Sequence, residues 1–169
     1  MDTLYLVKDP WRMNSTSEQA RLAETNRILL EKFGRVGSLL EIGCGEGHQS
    51  IHLQKICDRL TGLDISAKAV NRARIRCPGG RFFVGDPFCH EITSRAPFDL
   101  VVACEILYYM SDLSSALAQI RALAHNGLVT YYARMMEELD LQVLSLPATS
   151  TEIFECDGTC WRAVWWYDK

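Results

Sequence analysis

Apolar residues along the chain fall into two rhythms. Short runs of four to six end on an acidic or polar residue, and longer stretches repeat at helical spacing. A polar run at 14–17 supplies helix-start residues, and Pro10 keeps the residue before it out of a helix. Leu22, Ile28, Leu29 and Phe33 then give a partial apolar face, closed by Gly34 and Gly37. Strands are predicted over 39–41, 59–63, 81–84, 98–103 and 128–132. Helices are predicted between them over 48–56, 67–77 with Ser66 as N-cap, and 112–124. In the helix over 67–77 Ala69, Val70, Ala73 and Ile75 partly line an inner face, and Asn126 with Gly127 is read as a turn. A helix over 135–144 precedes two strands, 151–156 and 159–166, joined by Asp157 and Gly158 as a hairpin that Trp161, Trp165 and Trp166 pack.

The first strand passes from Glu41 into Gly43, Cys44, Gly45, Glu46 and Gly47, and the second stops at Asp64, about twenty residues after the first glycine. Strand, glycine turn, amphipathic stretch, strand and carboxylate together mark a cofactor-binding βαβ unit, which a glycine turn alone would not. The spacing is GxGxG rather than GxGxxG, which argues against a dinucleotide. Glu41 would repel a phosphate but accept hydrogen bonds from an ammonium, as on the amino-acid end of S-adenosylmethionine. At these residues the chain resembles class I S-adenosylmethionine-dependent methyltransferases. That resemblance implies an α/β Rossmann-like fold: a mostly parallel seven-stranded sheet with an antiparallel last strand and helices on both faces.

Further carboxylates end the third and fourth strands. Asp86 is followed by Pro87 and Phe88. In the methyltransferases it resembles, an acid here accepts from the adenine amino group while the next N–H meets the ring. Pro87 has no N–H, which leaves Phe88 to supply the donor or to pack on the ring; Asp86 is otherwise a loop N-cap. The fourth strand delivers Cys104, Glu105, Tyr108 and Tyr109 to the edge where the methyl group would be presented. Glu105 is read as the group that orients an acceptor or takes its proton, with a tyrosine hydroxyl as helper, against the plainer account of a helix-start acid. One of the two tyrosines is expected in the core or at the surface, because neighbours on a helix point apart. Tyr131, Tyr132 and Arg134 are expected at the same edge, where the arginine could hold an anionic group or simply be exposed.

The run DPW followed by SEQARLAETNRILL, and the run CEILYYMSD, resemble the nodulation protein S family of methyltransferases. In that family the amino-terminal segment caps the cofactor pocket, so the resemblance makes Trp11 and Arg12 candidates for the cap. On the residues alone, Trp11 is equally a plug beneath the first helix. The family N-methylates an amino-sugar oligosaccharide precursor, so the resemblance implies a small-molecule acceptor with an amine nitrogen. The cofactor side of the site is read as Trp11, Arg12, Glu41, Gly43, Cys44, Gly45, Gly47, His48, Asp64, Ile65, Ser66, Asp86, Pro87, Phe88 and Cys104, and the catalytic side as Glu105, Tyr108 and Tyr109. His48 and His52 lie one turn apart but have no third ligand at a suitable spacing, and no metal is assigned. Arg72, Arg74 and Arg76 alternate, so on a helix they diverge and read as solvated surface.

Composition narrows the rest. A length of 169 residues and a hydrophobic fraction of 48% fit one domain spanning 1–169. Within it, 1–34 is read as cap and helix, 38–132 as cofactor-binding core, and 133–169 as terminal helix and hairpin. The seven cysteines form no CxxC pair and read as reduced thiols. With no signal-like start and no apolar run long enough to span a bilayer, the expected compartment is the cytoplasm. A formal net charge of −3 gives no electrostatic case for a nucleic-acid partner, and no Asn-Pro-Pro-Tyr loop follows the fourth strand. A protein partner or homodimer fits a rival reading, a non-catalytic S-adenosylmethionine-binding subunit. A small-molecule O-methyltransferase is another.

Overall fold

A computed structural model describes residues 2–167, the side chain of His90 apart. After a 3₁₀ turn at Leu4–Leu6, helix α1 (Thr16–Phe33) begins at Ser15, whose hydroxyl accepts from Glu18 N, and ends at Gly34. The chain then alternates β1 (Val36–Ile42), α2 (Ser50–Leu53), β2 (Cys57–Asp64), α3 (Ala67–Arg76), β3 (Arg81–Val84), α4 (His90–Thr93) and β4 (Phe98–Cys104). A 3₁₀ turn at Leu107–Tyr109 leads to α5 (Leu113–Ala122) and β5 (Ala124–Tyr132), and another at Ala133–Met135 to α6 (Met136–Val143), β6 (Thr149–Cys156) and β7 (Thr159–Tyr167). The strands form one sheet in the order β3-β2-β1-β4-β5-β7-β6. All pairings from β3 through β5 are parallel, and β7 runs antiparallel to both of its neighbours.

The order places β1 and β4 side by side at the centre, with their crossovers leaving in opposite directions. Their carboxyl ends therefore open a crevice in which a ligand can lie. Side chains alternate across the sheet: Leu39, Leu100 and Leu128 pack on the α1 side with Trp161 and Trp165, while Leu40, Val101, Val129 and Trp166 pack beneath α5. The three tryptophans thus close both layers, as the hairpin reading expects. Asp157 and Gly158 both have positive φ (53° and 72°), the geometry of a tight two-residue hairpin turn.

Four expectations change. The predicted helix 48–56 shrinks to the single turn of α2, because the glycine-rich segment before it is taken up by turns. Asn126 and Gly127 lie inside β5, paired with Tyr167 and Trp166. Ile75 faces solvent, 82% exposed, while Ala69, Val70 and Ala73 are buried. The arginines of α3 are not a free surface: Arg74 donates to Phe82 O, and Arg72 and Arg76 both reach Glu46. No helix among the described residues is long and apolar enough to cross a membrane.

Candidate active site

At the carboxyl edge of the sheet lies a cavity of about 510 Å³. One side is built by the glycine turn. Gly43, Gly45 and Gly47 all have positive φ (78°, 50° and 82°), which lets the chain double back after β1. A side chain at Gly47 would bring its Cβ to 2.9 Å from Ala73 Cα, so this glycine is needed for packing on α3, and it does not line the cavity. Gly45 N donates to Asp64 Oδ2 (3.0 Å) and Ser66 N to Asp64 Oδ1 (2.8 Å). Asp64 is thereby fixed by one N–H on each oxygen, with further lone pairs available to a ligand. Glu41 is 4% exposed and accepts from Ser50 Oγ; burial pushes its carboxyl up to about 8.

The opposite side is built at the end of β4. Glu105 has φ +59°, a left-handed conformation uncommon for a residue with a side chain. Its N–H still donates to Thr130 O (3.0 Å), so the β4–β5 ladder runs up to the point of strain. Its carboxylate accepts from Tyr108 Oη (2.6 Å) and from Thr130 Oγ1 (2.9 Å). Burial raises the carboxyl, opposed by the Arg21 guanidinium and by these two hydroxyl donors. The Tyr108 hydroxyl is raised by burial and by the neighbouring Glu105. The Cys104 thiol is pushed up to about 12 by burial.

Of the residues singled out in the sequence, Trp11, Cys44, His48, Ile65, Asp86, Pro87, Phe88, Cys104, Tyr108 and Tyr109 line this cavity together with Glu41, Gly43, Gly45, Asp64 and Glu105. Arg12 and Ser66 do not: Arg12 is exposed, and Ser66 caps α3 and donates to Asp2 Oδ1. Trp11 is 44% exposed, with its ring 6.4 Å from Tyr109, so it forms a rim rather than a plug under α1. Asp86 Oδ1 accepts from Phe88 N (2.7 Å), which engages the donor that Phe88 would have offered to a ring. Tyr131 turns into the core and donates to Asp140 of α6 (2.7 Å). Tyr132 lines a side cleft of about 250 Å³ with Ser17, Thr159 and Trp161, and Glu18, Glu105 and Tyr108 border both spaces. Arg134 lies over the Tyr132 ring at 5.9 Å.

The sequence reading missed Tyr5, Asp9, Glu18, Arg21 and Glu46, all of which line the cavity. Tyr5 is buried, and its phenol is pushed up to about 12 by burial. Glu46 accepts from Asp9 N through both oxygens (3.1 and 3.2 Å) and from Arg72. For Glu46 the signal was the acid inside GEG, which pattern alone cannot separate from a solvated turn residue, while Asp9, Glu18 and Arg21 stand in the DPW and SEQARLAETNRILL runs without marking themselves out there. His48 lies between Asp9 and Glu46 (3.8 and 3.7 Å), and burial pushes its imidazole down.

The strand order, the antiparallel seventh strand and the crevice over β1 and β4 define the Rossmann-like fold of class I methyltransferases. Within that class the chain belongs to the nodulation protein S family, whose family model, Nodulation protein S (NodS), matches residues 3–131. It is 35% identical over 120 residues to Nodulation protein S of Bradyrhizobium diazoefficiens, covering 69% of this chain and 56% of that protein. To Nodulation protein S of Sinorhizobium fredii it is 33% identical over 124 residues, covering 71% of this chain and 54% of the relative. The chain thus spans about half the length of the curated relatives it matches. The crystal structure of N-methyltransferase NodS from Bradyrhizobium japonicum WM9 in complex with S-adenosyl-L-homocysteine superposes with a TM-score of 0.81. The match has 23% identity and covers 98% of this chain and 95% of that one.

Proposed function

We propose that this chain binds S-adenosylmethionine in the 510 Å³ cavity and directs its methyl group to the nitrogen of a small amine, of the amino-sugar type. The observation that carries the reading is one cavity with two differently built ends. At one end Asp64 and Glu41 flank the glycine turn, and at the other Glu105 is held by Tyr108 and Thr130. The residues fit the cofactor. Asp64 has spare acceptors for ribose hydroxyls, and Glu41 is a buried carboxylate with no basic partner among its hydrogen bonds, so a ligand ammonium would supply the charge it lacks. The nodulation relatives and the NodS N-methyltransferase structure support the nitrogen acceptor.

S-adenosylmethionine supplies a methyl carbon already activated by its sulfonium, so the protein's task is alignment and exclusion of water. Trp11, Tyr109 and Phe88 wall the cavity with apolar surface. Glu105 is positioned to accept a proton from the incoming ammonium or to hold the neutral amine, and the Tyr108 hydroxyl fixes the carboxylate's direction. The side cleft bordered by Tyr132 and Trp161 leads to Glu105 from the side of α1 and β7 and is the acceptor's route in this reading.

The test is calorimetric titration with S-adenosylmethionine and S-adenosylhomocysteine, followed by turnover on amines and amino sugars. Asp64→Ala is expected to weaken binding about 10- to 100-fold, as loss of one or two charge-assisted hydrogen bonds should. Glu105→Gln is expected to bind the cofactor normally and to lose most of its turnover. Full turnover by Glu105→Gln would remove Glu105 from the mechanism, and methylation of hydroxyls but not amines would make the enzyme an O-methyltransferase.

A further inference from the structure

Arg21 is one of the buried polar residues of the chain, 3% exposed, on the inner face of α1. Its Nε donates to Glu18 Oε2 at 2.8 Å, and its guanidinium lies 6.0 Å from the Trp161 ring. Its Nη1 is buried and has no hydrogen-bond partner. A guanidinium nitrogen left in that condition is costly, and such groups persist where their charge is used. Among the described residues lining the cavity it is the only lysine or arginine, against the carboxylates of Asp9, Glu18, Glu41, Glu46, Asp64, Asp86 and Glu105.

Glu105 has the opposite problem. Both of its oxygens accept from neutral hydroxyls, Tyr108 Oη and Thr130 Oγ1, and among the described residues it forms no ion pair. The groups around it are Glu18 and Arg21 from α1, Cys104 from β4, Tyr108 and Tyr109 from the 3₁₀ turn, and Thr130 from β5. Only Arg21 among them is cationic. Two hydroxyl donors orient a carboxylate, but they do not replace the hydration that burial removes.

We propose that Arg21 is a positioning residue for methyl transfer, a fixed positive charge, set by Glu18 and lining the same cavity as the buried Glu105, that favours the proton-accepting form of the Glu105 carboxylate. The proposal rests on the reading of Glu105 as the acceptor-side base. Burial raises the Glu105 carboxyl, and Arg21 is the largest opposing influence, while Glu18 adds to the rise. The two α1 residues therefore act on Glu105 with opposite signs. Arg21→Met should make Glu105 harder to ionise and Glu18→Gln easier, a pairing that a merely structural role for α1 would not produce.

The experiment is a carboxyl-detected NMR titration of the free protein labelled at glutamate Cδ, with Glu105→Gln identifying the Glu105 signal. The Glu105 midpoint is expected to rise by about one pH unit, a tenfold change in proton affinity, in Arg21→Met. It should fall in Glu18→Gln and return toward wild type in Arg21→Lys. The acid limb of the pH–rate profile should move with it. An unchanged midpoint in folded Arg21→Met overturns the proposal; if that variant does not fold, an unchanged or upward midpoint in Glu18→Gln does so. The titration uses neither cofactor nor acceptor. Full turnover by Glu105→Gln would refute the base without touching this result, and an unmoved midpoint would refute Arg21 without touching the base.

Discussion

Glu41 is where a single residue reports most directly on the ligand. Buried beneath the glycine turn, with its carboxyl pushed up to about 8 by burial, it is largely protonated at pH 7 in the ligand-free chain. The folded value lies above the unfolded one, so this group favours folding most at low pH, and that contribution is lost as pH rises from the ordinary carboxylate range through about 8. An ammonium laid against it would favour the ionised form, so binding S-adenosylmethionine at pH 7 should release on the order of one proton. Affinity should accordingly rise with pH up to about 8 and then level. Calorimetry in buffers of different ionisation enthalpy measures this release directly. Glu41→Gln should abolish it, and a zero slope in wild type would place the ligand ammonium elsewhere. Four carboxylates of this site, Glu41, Asp64, Asp86 and Glu105, were readable in the sequence because each ends an apolar run, whereas Asp9, Glu18 and Glu46 stand in no such place. Arg21 and Thr130 were not readable either, because their relation to Glu105 depends on how α1 and β5 pack, and neither stands in a pattern of its own.

At the scale of elements, β5 and β7 show where the period of a strand was misread and why. Asn126 and Gly127 look like a turn, yet Gly127 pairs with Trp166 across an antiparallel ladder. A Cβ at Gly127 would come within 1.9 Å of Trp166 Cζ2, so the glycine is there to let a buried indole lie flat across the strand. Sequence gives the glycine; only the pairing of β5 with a strand forty residues later gives its reason. Gly127→Ala should destabilise the fold by about 3 kcal/mol, the upper range for overpacking, because the atom in the way is part of a rigid ring. The urea midpoint should fall with an unchanged slope, and Trp166→Leu in the same chain should recover part of the loss. If the alanine variant unfolds at the wild-type midpoint, the β5–β7 packing is wrong. The hairpin itself, by contrast, was predictable from Asp157-Gly158 because that pair is local: both residues take positive φ within the turn.

Taken whole, the molecule closes its cavity with a segment that has almost no regular structure. Tyr5, Asp9, Trp11 and Met13 form a wall, although the chain from 7 to 14 lies in neither helix nor strand. Charged side chains from α3 and the glycine turn hold it instead. Arg72 donates to Tyr5 O (2.9 Å), to Val7 O (3.0 Å) and to Glu46, while Glu46 accepts from Asp9 N. Asp9 and Arg12 are held at positive φ, and Asp9 in turn accepts from Met13 N (2.6 Å) and Asn14 N (3.0 Å). The arginines of α3 looked like solvated surface because their alternation sends them in different directions, and that geometry is what sends Arg72 to the wall and Glu46, Arg76 to Glu46 O and Arg74 to Phe82 O of β3. Removing Arg72 leaves the buried Glu46, 5% exposed, with the Asp9 N–H, His48 at 3.7 Å and Arg76 at 3.8 Å as its neighbours and without its close cation. The cost, about 2 kcal/mol for charge-assisted hydrogen bonds, should fall on the wall and not on the sheet. Arg72→Ala is therefore expected to lose hydrogen-exchange protection at Leu6, Asp9, Met13 and Asn14 while β1, β4 and β5 keep theirs. The S-adenosylhomocysteine complex should dissociate about tenfold faster. Equal loss of protection across the sheet would mean that the segment is part of the core's cooperative unit, and an unchanged dissociation rate would mean that it does not enclose the ligand.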